Sequence, residues 1–260
     1  MFRAKPLLVG AAGLTSILLT MHGRVYGQGG RGAAVAPPVQ QTARAAAPVD
    51  PTGYWVSMIT NNWRLRMVPP AKGDYIGIPI SAAAKKVADA WDMTKDEAGG
   101  NECKYYGAAS IMYQPTRLHI AWQDDNTLRM DTDAGTQTRI FHFGNAASPP
   151  ARSWQGYSAA MWESRRAGGR GAASPPRHLK VTTTNMRSAY LRKNGVPYSD
   201  SAVLTEYYDL YREPDGTVMM VVTAVVEDPV YLEQRYIVVS HFKRQADASG
   251  WDPTPCSARW

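Results

Sequence analysis

From residue 53 onward, apolar and polar positions alternate along most of the chain. In RLHIAWQ, Leu118, Ile120 and Trp122 share one face, and Arg117, His119 and Gln123 the other. In NTLRMDT the two sets are Leu128, Met130 and Thr132 against Thr127, Arg129 and Asp131. A period of two marks a strand buried on one side. The same pattern predicts strands at YWVSMI, WRLRMV, TQTRIFHF, GYSAAMWE, HLKVTTT, SAVLTEYYDLY, TVMMVVTAVV and YIVVSHFK. WRLRMV is the cleanest alternation, with Trp63, Leu65 and Met67 opposite Arg64 and Arg66. Turn signals at Asp124-Asp125-Asn126, Asp133-Ala134-Gly135 and Asp215-Gly216 join several of these runs. TVMMVVTAVV is apolar on both faces, so its outer side is expected to be covered as well.

One segment has a helical period instead. In SAAAKKVADAWD, Ser81 is a plausible N-cap and Ala84, Val87, Ala88 and Trp91 form one stripe. A second short helical piece is expected in TKDEAGG, the two acting as a lid or plug against a sheet. With about ten strands and no strand–helix–strand rhythm, the predicted class is all-β. The simplest closed solution is an antiparallel up-and-down β-barrel with one short N-terminal helical segment. A barrel removes exposed strand edges; a two-sheet sandwich is the alternative. A barrel interior is filled by the apolar faces, so Arg129 and Asp131 are expected outside and Asp133 in a turn.

The ends of the chain read differently. Arg3 and Lys5 precede an apolar run from Leu7 to Leu19, and Val25 and Gly27 suit a cleavage site. Residues 1–27 are therefore read as a secretory signal peptide, since the run falls short of the roughly 20 residues that span a bilayer. Residues 28–52 read as a flexible linker and 53–260 as a single barrel domain. GGRGAAVAPP recurs as GGRGAASPP inside a loop insert at about 164–178, predicted to be disordered because Gly, Ala and Pro build no core. The expected location is secreted or periplasmic, with no membrane span after cleavage.

Net charge is +7. Arg3, Lys5 and Arg24, then Arg31 and Arg44, then Arg165, Arg166, Arg170 and Arg177 of the insert carry that excess. The barrel body is nearly neutral, which argues against a nucleic-acid partner. Cys103 and Cys256 suit an oxidising compartment and are paired in the expected fold. Closing so long a loop stabilises by about 4–5 kcal/mol in the chain-entropy model. The pair staples the C-terminal tail to the region after the first helix.

Candidate chemistry is sparse. His119, His142, His178 and His241 show no metal-ligand spacing, and GxSxG and GxxxxGK[ST] are missing. No cofactor and no metal are expected. Glu163, Glu206 and Glu227 lie in or at the end of apolar or aromatic strands. Glu206 shares a face with Leu204 and Tyr208. Buried there, it needs a partner such as Arg139, or its pKa rises. Eight Trp and fourteen Tyr against four Phe suit a cavity whose rings carry polar handles. The expected ligand-lining residues are Trp122, Arg139, Trp154, Tyr157, Trp162 and Glu163.

GYSAAMWE, VTTTNMRSAYLRKNGVPYSDSAVLTEYYDLY and VVEDPVYL together resemble a family of uncharacterised exported bacterial proteins. That family has a calycin-like, lipocalin-type β-barrel, and the resemblance spans roughly residues 53–256. Here Trp162-Glu163 runs into the insert rather than the family's tight turn. The resemblance implies a fold and carries no activity. Three readings follow. One is a barrel holding a small apolar or aromatic ligand in its interior. A second is a cofactor-free isomerase, cyclase, lyase or hydrolase with Glu206 as base and His142, His241 and Tyr208 assisting. A third is an interaction module reaching a surface partner through its Gly/Arg loops. Oligomeric state is not legible.

Overall fold

The computed structural model describes residues 41–144, 151–164 and 178–259. The expected signal peptide, the first part of the expected linker and most of the insert lie outside them. In chain order the strands are β1 (Gly53–Met58), β2 (Arg117–Asp124), β3 (Thr127–Thr132), β4 (Gln137–Phe143), β5 (Tyr157–Glu163) and β6 (His178–Thr184). There follow β7 (Ala189–Tyr190), β8 (Pro197–Tyr198), β9 (Val203–Arg212), β10 (Val218–Glu227) and β11 (Tyr236–Gln245). Nine of them close into a barrel in the order β1-β11-β10-β9-β6-β5-β4-β3-β2, and β7 and β8 form a separate hairpin. Neighbours are antiparallel, except that β5 runs parallel to β4.

The alternation places the side chains as expected. Trp55, Leu118, Ile120, Leu128, Met130, Phe141, Leu179, Val181, Tyr208, Met220, Val222 and Phe242 fill the interior, all nearly solvent-free. Burying each large apolar side chain contributes about 1.5–3 kcal/mol. Arg129 and Asp131 pair on the outer wall, as expected. Asp133 differs from the expected wetted turn acid. It is buried and accepts from Arg117 N at 2.7 Å, Ala134 N at 2.7 Å and Thr116 Oγ1 at 2.9 Å, locking the β3–β4 turn.

WRLRMV is a helix, not a strand: α1 (Trp63–Met67). This leaves nine barrel strands against the ten expected, and the short β7 and β8 were not foreseen. Trp63 and Met67, read as the buried face, are 66% and 56% exposed, while Arg66 is 1% exposed. A run of five residues satisfies period two and period 3.6 at once, so tertiary contacts decide. The helical turn, entered through Asn62 at φ 48°, carries Arg66 inward, where its Nε donates to Tyr113 O at 2.7 Å.

α2 (Ala82–Asp89) starts where expected, with Ser81 Oγ accepting from Ala84 N at 3.2 Å. Its buried stripe is narrower than expected: Ala84 and Ala88 are inside and Val87 is exposed. α3 (Met93–Ala98) is the second helical piece. A 3₁₀ turn (Glu102–Tyr106) and α4 (Ala108–Ile111) follow, and residues 105–114 are buried throughout. Tyr106, Ile111 and Met112 pack into the barrel core and plug that end. Cys103 at the plug is disulfide-bonded to Cys256. Beside the plug lies a second core built from Ala88, Leu191, Val196, Tyr198, Val226 and Tyr236.

Asp228 of the Glu-Asp-Pro corner is buried and accepts from Ser199 N and Oγ and from Val230 N, which ties the β10–β11 connection to β8. At the opposite mouth, residues 43 and 44 cross the barrel. Trp162 Nε1 donates to Ala43 O at 2.8 Å and Arg44 N to Asp125 O at 3.0 Å. Among the described residues, no helix is long and apolar enough to cross a membrane.

Candidate functional site

Strand alternation separates the residues expected to act together. On β4, Arg139, Phe141 and Phe143 face inward, which leaves His142 outside, stacked on Tyr157 with centroids 5.1 Å apart. On β11, Phe242 faces inward and His241 outward, where its Nδ1 meets Thr60 Oγ1 at 2.8 Å. Neither His142 nor His241 shares a pocket with Glu206; Tyr208 does share its face. Tyr157 and Glu163 are likewise on the outer wall. Glu163 is held below the ordinary carboxylate range: burial opposes this, and Lys180 at 3.1 Å and His178 at 3.3 Å outweigh it. His178, assigned to the insert by sequence, is the buried first residue of β6. Trp154 packs on the second core, with Arg187 4.8 Å over its ring. Trp122 and Trp162 close the open mouth with Phe143. Trp122 also lines a cavity of about 610 Å³ with Arg44, Asp50 and Ala121.

Inside the barrel, Arg139 and Glu206 pair as expected. Both side chains are fully buried, and the guanidinium forks the carboxylate at 2.5 and 2.9 Å. Arg139 Nη2 also donates to Thr183 Oγ1 at 3.2 Å, and Thr183 meets Ser158 at 2.8 Å. Burial disfavours the charge on Arg139, and Glu206 more than offsets it, so the guanidinium pKa stands above its ordinary value. Burial and the Glu206 charge push the Tyr208 hydroxyl well above its ordinary value, yet among the described residues no bond of acceptable geometry reaches it. Among the described residues, Arg139 Nε, Tyr208 Oη and Tyr198 Oη are buried without a hydrogen bond of acceptable geometry.

A second buried basic centre sits at the plugged end. The β7–β8 hairpin folds its tip inward, so that Arg192 is 2% exposed in a segment, 191–199, that is almost wholly buried. Arg192 Nη1 donates to the Asp74 carbonyl at 3.5 Å, the guanidinium also lies against the Tyr236 hydroxyl, and its Nε has no partner among the described residues. Arg66 lies 4.9 Å over the Tyr113 ring, with Nη2 unpartnered among the described residues. Neither arginine makes an ion pair among the described residues. The Asp74 carboxylate feels Arg192 but turns to Arg64, at 3.0 Å. Burial lowers the pKa of Arg66, and also that of Lys193, whose Nζ lies 5.7 Å over Tyr105. Burial pushes Tyr236 up to about 12 while the charge of Arg192 pulls it back.

This centre opens on a cavity of about 420 Å³. Its wall holds Arg64, Arg192, Tyr113 and Tyr236, and no acidic residue among the described residues. The rim is apolar, with Trp63, Ile76 and Ile237 exposed by 66%, 65% and 58%. Asn62, in the left-handed region, also lines it; strained backbone of this kind gathers at functional sites. The arrangement offers hydrogen-bond donors and positive charge at depth, and ring and aliphatic surface at the mouth. A buried, unpaired guanidinium is costly unless something anionic completes it.

Sequence reasoning missed Arg66 and Arg192. Arg66 was hidden in a false strand as a solvent-facing residue. A signal existed for Arg192: Asn194-Gly195 sits between short apolar pairs, a hairpin mark inside the stretch that carries the family resemblance. No family model, no curated protein and no solved structure matches this chain.

Proposed function

We propose that this protein is an exported β-barrel that binds a small organic anion with an apolar or aromatic body, in the cavity beside α1 at the plugged end. The carrying observation is Arg192. It is 2% exposed, lines a cavity of about 420 Å³, keeps Nε unpaired and has no ion-pair partner among the described residues. A carboxylate or phosphate head would supply the missing acceptor, and Trp63, Ile76 and Ile237 would cover the body. This moves the ligand from the barrel interior to its end, because the interior is filled by Trp55, Phe141, Tyr208 and Phe242. Export is supported by the leader-like residues 1–27 and by the Cys103–Cys256 bond. The resemblance to exported calycin-like proteins agrees with this reading and adds no activity.

The test is thermal unfolding and calorimetry of the chain from Gln28 with benzoate, phenylacetate, decanoate and phenyl phosphate. At least one probe is expected to raise Tm as RT ln(1 + [L]/Kd) requires, and Arg192→Met to abolish the rise. If no probe binds, or if Arg192→Met binds as wild type does, the proposal fails.

A second reading keeps acid–base chemistry in the barrel, favoured by the three unpartnered polar atoms around Arg139, Tyr198 and Tyr208. Both Glu206 oxygens are occupied by Arg139, so Glu206 acts as a base only if that fork opens. Turnover that survives Glu206→Gln would exclude it.

A further inference from the structure

The C-terminal tail builds a second cavity, remote from the one beside α1. After β11 the chain doubles back along the outer wall. Thr254 N donates to Asp133 O at 2.9 Å, Thr136 Oγ1 donates to Thr254 O at 2.9 Å, and the Cys103–Cys256 bond fixes the end. This strap holds Trp251 against the barrel. A cavity of about 380 Å³ lies between them, lined by Trp251, Tyr54, His119, Arg129, Asp131 and Thr138 among others.

Its chemistry is specific. Tyr54 and His119 stack with centroids 4.3 Å apart, and Trp251 stands edge-on to both, at 6.0 and 6.4 Å. The three rings form an aromatic corner. Across from it, Arg129 forks Asp131 through Nε and Nη2 at 2.8 Å, and Thr138 Oγ1 donates to the same carboxylate at 2.5 Å. Among the described residues, Arg129 Nη1 makes no hydrogen bond, so its N–H groups remain to donate. The wall therefore pairs fixed donors and acceptors that cancel in charge with ring faces that pack C–H groups. Thr136, also in the wall, is a β-branched residue at φ 49°, a rare conformation that the strap holds in place.

We infer that this outer-wall cavity is a binding site for a neutral saccharide, with Trp251 as the stacking platform and the Arg129–Asp131 fork as the hydroxyl reader. A charged ligand is disfavoured because the guanidinium and the carboxylate neutralise each other. A wholly apolar ligand would leave both desolvated without compensation. A sugar ring presents what the wall lacks: adjacent hydroxyls that donate and accept, and an apolar face.

The experiment titrates the chain from Gln28 with maltotriose, cellotriose, xylotriose and N-acetylated chitotriose, read by tryptophan fluorescence and by NMR of the indole N–H signals. At least one trisaccharide is expected to saturate the Trp251 signal. Read by calorimetry, which does not depend on the indole, Trp251→Ala should weaken binding about tenfold, Trp251→Phe less, and Arg192→Met not at all. Thermal melts check that each variant folds, and Asp131→Asn replaces Trp251→Ala should that variant not fold. Absence of saturation with all four sugars overturns the inference, as does unchanged affinity in a folded Trp251→Ala or Asp131→Asn chain.

Discussion

Arg139 and Arg192 are both hidden from solvent, yet they sit in opposite electrostatic circumstances. Arg139 lies in the barrel, forked by Glu206 and flanked by Thr183. Its charge is answered within the chain. Arg192 lies at the barrel end, against Tyr236; among the described residues its cavity wall has no acidic residue and its Nε has no partner. Two buried guanidiniums of the same type thus play different parts. A pair that completes itself holds strands together: Arg139 on β4 and Glu206 on β9 bridge the barrel. A cation left incomplete in a roomy, ring-lined recess is a receptor for something that arrives from outside. Burial alone does not mark a site; burial without a partner, beside open space, does.

The sharpest way to break this comparison is to remove one partner of the barrel pair. Glu206→Ala leaves Arg139 buried and unanswered and is expected to cost about 3–5 kcal/mol in urea unfolding. The double variant Arg139→Met with Glu206→Leu should recover most of that loss. A single variant that costs under about 1 kcal/mol would remove the distinction between the two centres.

Alkaline titration separates the two regions next. Tyr236 has its folded pKa raised to about 12 by burial, less than it would be without Arg192, and Tyr75 is also raised to about 12. Both exceed the ordinary value near 10, so the stability they contribute is complete below pH 10 and is lost as pH rises toward 12. Tyr208, pushed higher by burial and Glu206, should ionise only on unfolding. Absorbance at the tyrosinate band against pH, followed alongside circular dichroism, should show a fraction of tyrosines titrating before the fold is lost. Arg192→Met should move Tyr236 further up. A single step coincident with unfolding contradicts this.

A smaller effect on stability is expected from Arg192→Met itself. Exchanging an unpaired buried cation for an apolar side chain of similar length should change unfolding free energy by no more than about 1 kcal/mol, or raise it, while anion binding disappears. A large destabilisation would make Arg192 structural. The baseline is Glu97→Gln, which removes the carboxylate partner of the exposed Arg259 and should leave the unfolding midpoint where it was.

Most of the barrel was legible because a period of two survives wherever one face is dry and the other wet. RLHIAWQ and NTLRMDT fell at β2 and β3 with their faces as read. The inward Glu206 and its need for Arg139 followed from the same alternation. WRLRMV failed for a physical reason. Five residues cannot tell two periods apart, and what decided between them was Arg66 reaching Tyr113, 47 positions away. The plug at 105–114 gave no pattern because it is buried on all sides, and periodicity needs a wet face to show. The site at the plugged end depends on which charges lack partners, and partners are a property of the fold rather than of spacing.

The closure of the barrel has a consequence for the order of events in making it. β1 is hydrogen-bonded on one side to β2 and on the other to β11, the last strand of the chain. As the polypeptide emerges, the first strand therefore has an open edge until residues near 245 arrive. Contacts so distant in sequence form slowly. An unfinished chain would expose a bare strand edge, open to any neighbour with the same need. The ring of strands shuts only when β11 is made, and until then the free edge of β1 stays open.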